Sequence, residues 1–155
     1  MTPEAIITAL LLMFPHMSGH NRQCIETNRE HITQQLREVQ QPFEPGAPVP
    51  PLELTAAVAF TETHLGCDHN EGGNWGAPVD GRHRHTPGTH MSALRVLSRS
   101  YTVCGTWDGA VMRFRTGLCD PRRQSSSPAV AQQGVSYLRR VKNLIRRMQS
   151  VSGAP

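Results

Sequence analysis

Glu62 stands near the end of the apolar run AAVAFTETHLG, residues 56–66. Ala56, Ala57, Val58, Ala59 and Phe60 precede it, and no Lys or Arg lies within four positions along the chain. A carboxyl group donates a proton to a reacting oxygen near neutral pH only when its pKa is raised, and a dry apolar wall raises it. Glu62 is therefore the candidate for general acid–base chemistry of the kind that opens an acetal. Its alternative role is a solvated carboxylate at a helix end. Acetal cleavage commonly uses two carboxylates. A second would come from Asp68, Glu71 or Asp80, in the glycine-rich stretch that follows.

The same stretch offers metal donors. Cys67, His69, His83, His85 and His90 fall within 24 residues, with Asp68 beside them. Zinc takes such ligands. Their spacing matches no zinc motif, so the reading is a polar loop, with no metal and no other cofactor.

Helices must position these groups. Residues 3–14 form an apolar helix capped by Thr2, with Pro3 at its first position. Ten apolar residues, 5–14, are too few to span a bilayer, so no membrane span is expected. The opening Met-Thr-Pro-Glu lacks the basic start of an export signal, and no small-residue cleavage site follows. Residues 22–41 read as one helix with Ile25, Ile32, Leu36 and Val39 on a stripe. Five prolines in residues 42–51 make a stiff, extended connector. This divides the chain into an N-terminal helical pair (1–41), the connector (42–51), a motif-bearing domain (52–149) and a tail (150–155).

In that domain the Glu62 helix covers 52–64. Residues 66–88 hold six glycines and form a long loop, with room for a small β-hairpin. Thr89 caps a helix carrying Met91, Leu94, Leu97 and Tyr101 at helical spacing. Thr106 caps another, with Trp107, Ala110, Val111 and Phe114 on one face and Gly117 at its end. Residues 120–128 are a loop. The last helix, 129–149, turns Val135, Leu138, Val141, Ile145 and Met148 inward. The fold class is mainly α.

Four short segments follow one another in order: ETHLG at 62–66, GNWGAPV at 73–79, FRTG at 114–117 and SYLRRV at 136–141. This order resembles the lysozyme-like superfamily, most closely its soluble lytic transglycosylase branch, over about residues 50–145. There a helix ends in Glu-Ser, a Gly-Ala-x-Gly-Leu-Met-Gln turn follows, then Tyr-Asn-x-Gly, then a tyrosine helix. Gly73 and Gly76 match the two turn glycines, while Val79 replaces the substrate-contacting glutamine. Phe114 takes the aromatic place without its hydroxyl, and Arg115 replaces the asparagine. Tyr137 matches a tyrosine that in the family reaches toward the catalytic glutamate.

The resemblance implies a lysozyme-like domain that cuts the MurNAc–GlcNAc β-1,4 bond of peptidoglycan. Glu62 would be its single catalytic residue, and Gly73, Trp75, Gly76, Phe114, Arg115 and Tyr137 would contact the glycan. Trp75 would stack on a sugar ring or plug the core. A rival resemblance joins ETHLG and GNWGAP to flagellar-type glucosaminidases of the same superfamily. A third reading is a lysozyme-like module that has lost catalysis and serves as an assembly or wall-binding part of a phage particle. The implied setting is a virion or an extracytoplasmic space, with peptidoglycan strands and virion or secretion-apparatus proteins as partners.

The charge is unevenly placed. The 155 residues carry 15 Arg and one Lys. Arg122, Arg123, Arg139, Arg140, Lys142, Arg146 and Arg147 fall after residue 120, with no acid among them. Such a face attracts an anionic polymer or is simply solvated. Base-stacking aromatics are nearly lacking around these arginines, which argues against nucleic acid.

The cysteines are Cys24, Cys67, Cys104 and Cys119. Their even number permits disulfides without proving them, and four reduced thiols are the alternative. Cys104 and Cys119 flank one short helix and are expected to lie too far apart to bond. Because Cys67 and Cys119 follow motifs that line the cleft in the resembled family, Cys67–Cys119 is the expected pair.

Overall fold

The structure, a computed structural model, describes residues 1–67, 75 and 89–153. Every regular element among the described residues is a helix: α1 (Pro3–Met13), α2 (Gly19–Thr27), α3 (Arg29–Glu38), α4 (Leu52–Thr63), α5 (Thr89–Cys104), α6 (Trp107–Thr116), α7 (Pro121–Gln124) and α8 (Pro128–Val151). A mainly α fold is what the apolar spacing called for. The hairpin expected within 66–88 falls almost wholly outside the described residues.

α1 begins as its sequence dictates. The Thr2 hydroxyl accepts a hydrogen bond from the Ala5 amide at 3.2 Å, and Pro3 occupies the first turn, where no amide is needed. At its far end two guanidinium groups reach in from other helices. Arg22 donates to the Leu11 carbonyl at 3.2 Å and Arg147 to that of Met13 at 3.3 Å. They satisfy carbonyls that the helix leaves without partners.

The single helix expected over 22–41 is two. Ser18 starts α2 early by accepting from the Asn21 amide at 3.2 Å. At Asn28 the side-chain amide donates to the Cys24 carbonyl at 2.9 Å, and the backbone leaves helical geometry before α3 begins. A short polar side chain that bonds its own backbone competes with helix continuation. Ile25, Ile32, Leu36 and Val39 are all buried, as their stripe required.

α4 is the central helix. Leu52, Leu54 through Phe60 and Thr63 are buried, which leaves almost no polar face. α8 packs across α1, α4, α6 and α7. At 24 residues it is about 36 Å long, enough to touch them all. Its inward stripe is rotated from expectation. Gly134, Tyr137, Val141, Leu144 and Met148 are buried, whereas Val135, Leu138 and Ile145 are half-buried. The residues on either side of the proline connector share one hydrophobic cluster, from Ile6, Ile7 and Leu10 to Val58, Val141 and Met148. The connector is neither helix nor strand, and the Ser98 hydroxyl of α5 donates to its Pro48 carbonyl. Residues 121–124, expected as loop, form the single turn α7, capped by the Asp120 carboxylate.

All four cysteines are paired, as Cys24–Cys67 and Cys104–Cys119. The expected Cys67–Cys119 bond and the reduced-thiol alternative are both overturned. Helix length alone misled for Cys104 and Cys119. Gly117 adopts φ +78°, which only glycine takes readily, and turns the chain back along α6. Cys119 then lies beside Gly109, where a Cβ would sit 2.8 Å from that of Cys104 and 3.5 Å from the Cys119 carbonyl. The bare glycine leaves room for the bridge.

Candidate active site

Three helices bring Glu62, Arg115 and Tyr137 together. Glu62 lies in the last turn of α4, with its side chain 15% exposed. Arg115 lies in the last turn of α6 and is 40% exposed; its Nη1 is 3.6 Å from Glu62 Oε2. The sequence shows no cation near Glu62, because this one arrives through the fold. Tyr137 projects from the buried stripe of α8 and is 1% exposed. The guanidinium groups of Arg115 and Arg140 each lie 5.8 Å from its ring centroid.

The Tyr137 hydroxyl is buried and makes no hydrogen bond of normal geometry among the described residues. Burial pushes its pKa far above the usual phenol range. The nearby Glu62 carboxylate adds to the rise, and Arg115 and Arg140 oppose it. Tyr137 is therefore a neutral phenol, able to donate a hydrogen bond toward Glu62 or toward a ligand oxygen. A buried hydroxyl without a partner costs stability. Tyr137→Phe is accordingly expected to keep the fold and to raise stability by about 1 kcal/mol in urea denaturation. A loss of comparable size would show that the hydroxyl is bonded in the folded protein.

Trp75 and Phe114 lie in the hydrophobic core. Trp75 is 0% exposed, its ring centroid 5.8 Å from that of His90 and its indole N–H without a partner among the described residues. Its side chain is part of the buried core. Phe114 is buried in the same cluster. Gly73 and Gly76, with Val79, Asp68, Glu71 and Asp80, lie outside the described residues, as do His69, His83 and His85.

Two of the metal donors read from the sequence are otherwise engaged. Cys67 is in a disulfide. His90 is buried, its Nε2 2.6 Å from Glu38 Oε2 and its Nδ1 3.3 Å from Gln35 Nε2. A proton on Nε2 lets the ring donate to Glu38 and accept from Gln35. Hydrogen bonds from Gln34 and then His90 hold the Glu38 carboxyl below its usual pKa. This cluster joins α3 to α5 and had no signal in the sequence, since its members lie far apart in the chain. Among the described residues no group of three metal ligands occurs.

Two further features follow from the fold. The chain between α4 and Cys67 runs through His64 and Leu65 at φ 49° and 60°, a left-handed stretch that non-glycine residues seldom adopt. It bends the chain two residues after Glu62. Arg140, three residues after Tyr137 on α8, joins the site by helical adjacency, a spacing visible in SYLRRV.

No protein-family model, no curated protein and no solved structure matches this chain.

Proposed function

We propose that this protein cleaves the MurNAc–GlcNAc β-1,4 bond of peptidoglycan, as a lytic transglycosylase or muramidase with Glu62 as its acid–base residue. The observation that carries the proposal is the convergence of Glu62, Arg115 and Tyr137 from three separate helices. Two of these, Glu62 and Tyr137, are matched in type to the resembled family. An ion-paired carboxylate accepts rather than donates, so the reaction needs Arg115 to part from Glu62 as the glycan enters. Glu62, which takes up a proton from solvent once Arg115 has parted from it, then gives that proton to the leaving oxygen of the GlcNAc ring. As a base it next takes the proton from the MurNAc 6-hydroxyl, which closes a 1,6-anhydro ring, or from a water. The Tyr137 phenol, beside Glu62, would donate to the carboxylate once Arg115 has parted and so orient it during both transfers.

The disulfides support a working place outside the reducing cytoplasm, because such bonds persist in oxidising compartments. A phage particle or the cell wall is such a place. No described helix is long and apolar enough to cross a membrane.

One observation favours a second reading. Arg115, which stands where the resembled family has asparagine, occupies the carboxylate of Glu62. An assembly or wall-binding module without catalysis would tolerate that pair. Purified sacculi separate the two: active protein lowers their turbidity, and an inactive module binds without clearing them.

The α8 arginines bear on attachment to the wall. Arg139, Arg140, Arg146 and Arg147 are exposed. Lys142 is engaged by Asp108, while Arg140 and Arg147 lie over Tyr137 and Phe14. Arg139 and Arg146 are the pair one can change without touching packing. Changing both to Gln is expected to weaken sedimentation with insoluble peptidoglycan while leaving thermal stability nearly unchanged. Added salt should have the same effect, since exposed charges are screened over ~10 Å at 0.1 M. Binding indifferent to salt and to both changes would assign this face to solvation alone.

A further inference from the structure

Among the described residues the charges around Tyr137 do not balance. Two guanidinium groups, of Arg115 and Arg140, lie against its ring, and one carboxylate, Glu62, stands beside them. Glu62 pairs with Arg115; Arg140 has no acidic partner among the described residues. In the same place is the buried Tyr137 hydroxyl, which makes no hydrogen bond of normal geometry among the described residues, with Glu62 close enough to raise its pKa. A cation without an acidic partner among the described residues, beside a buried donor whose hydrogen bond is not made at normal geometry, is what an anionic ligand completes. Guanidinium forks bind carboxylates through paired hydrogen bonds.

We infer that Arg115, Arg140 and the Tyr137 hydroxyl form an anion subsite adjoining Glu62 that takes a carboxylate-bearing sugar. The inference rests on the glycan-cleaving reading and specifies its substrate. MurNAc carries a lactyl ether whose carboxyl is free wherever no peptide is attached. That group sits on the same ring as the bond to be cut, so a subsite beside Glu62 is within its reach. When the carboxylate arrives, Arg115 exchanges Glu62 for the ligand. One contact then recognises the acidic sugar and releases Glu62 for proton transfer. Strands stripped of peptide become the preferred ligand, and neutral chitin strands a poor one.

The test compares three tetrasaccharides by calorimetry at low salt, on the Glu62→Gln protein so that nothing is cleaved. These are denuded GlcNAc–MurNAc tetrasaccharide, the same sugar with its lactyl carboxyls capped as simple amides, and chitotetraose. The denuded sugar is expected to bind about tenfold more tightly than the other two, a difference of about 1.4 kcal/mol. A fourth ligand, the peptide-substituted tetrasaccharide, separates a lactyl from a peptide carboxylate and is expected to bind like the amide. Adding Arg115→Gln and Arg140→Gln should erase the preference, and Lys at both positions should restore part of it by keeping the charge.

Equal affinity for all four ligands, or a preference that survives both Gln changes, overturns the subsite. Tightest binding of the peptide-substituted sugar overturns the lactyl assignment. Wild-type protein incubated with sacculi reports the catalytic reading separately. Cleavage without any acidic preference removes only the subsite. Absence of both cleavage and binding removes both proposals.

Discussion

Glu62→Gln is expected to give a folded protein that no longer solubilises peptidoglycan. The amide keeps the shape of the side chain and an oxygen that can face Arg115, but it has no acidic proton to give. Loss of one essential general acid lowers the rate by roughly 10²–10⁴. The cost to folding is small by comparison. The Glu62–Arg115 pair is 3.6 Å long and its guanidinium partner is 40% exposed. Solvent-screened pairs of this kind contribute about 0–1 kcal/mol. The variant should therefore unfold near the wild-type temperature while release of soluble fragments from sacculi disappears. Wild-type release by this variant would remove Glu62 from the chemistry.

The second large effect concerns the bridge beside the site. Cys24 and Cys67 close a loop with a sequence separation of 43. Constraining a loop of that length in the unfolded chain contributes roughly 4 kcal/mol. Replacing both cysteines by Ser should lower the melting temperature by roughly 8–16 °C in a chain of this size. The Cys104–Cys119 bridge spans only 15 residues and should contribute about 3 kcal/mol. The first bridge also pins the chain where it leaves α4, past the left-handed residues His64 and Leu65. Its loss should therefore weaken cleavage beyond what the melting temperature explains, when measured well below that temperature. Differential scanning calorimetry of the two double variants checks the order. An unchanged melting temperature in Cys24→Ser/Cys67→Ser would show that this bond contributes nothing.

Local rules made much of the fold legible. The Thr2 and Thr106 caps, Pro3 at a helix start and Gly117 at a helix end are each set by neighbours within a few residues, and each stands where the sequence placed it. The buried stripe of Ile25, Ile32, Leu36 and Val39 was equally plain, although the break at Asn28 inside it was not. Apolar spacing reports which residues share a face, not whether one asparagine diverts the backbone. The rotation of α8 was hidden for a related reason. Tyr137 counts as polar by its hydroxyl and apolar by its ring, and Gly134 has no side chain to mark a face. Both are buried, and they shift the stripe toward Leu144.

The site was legible only in part. Glu62 and Tyr137 came from ordered motifs, whose meaning rests on resemblance. The cation beside Glu62 was hidden, because the chain around Glu62 holds no Arg and Arg115 reaches it from α6. The disulfides were misread since pairing depends on where turns return the chain, here at Gly117, and not on helix length. Trp75 kept two roles open until its burial chose the core.

The most direct test of the central proposal is the chemistry of the ends left on purified peptidoglycan, read by mass spectrometry after incubation with the wild-type protein. Expected are new MurNAc ends, either as the 1,6-anhydro sugar, which is one water lighter, or as the reducing sugar. The first marks a transglycosylase and the second a muramidase, and both should be lacking with Glu62→Gln. Reducing GlcNAc ends would instead place the cut at the other glycosidic bond and mark a glucosaminidase. Sacculi that come through with no new ends would contradict cleavage altogether and leave the assembly or wall-binding module as the reading of this fold.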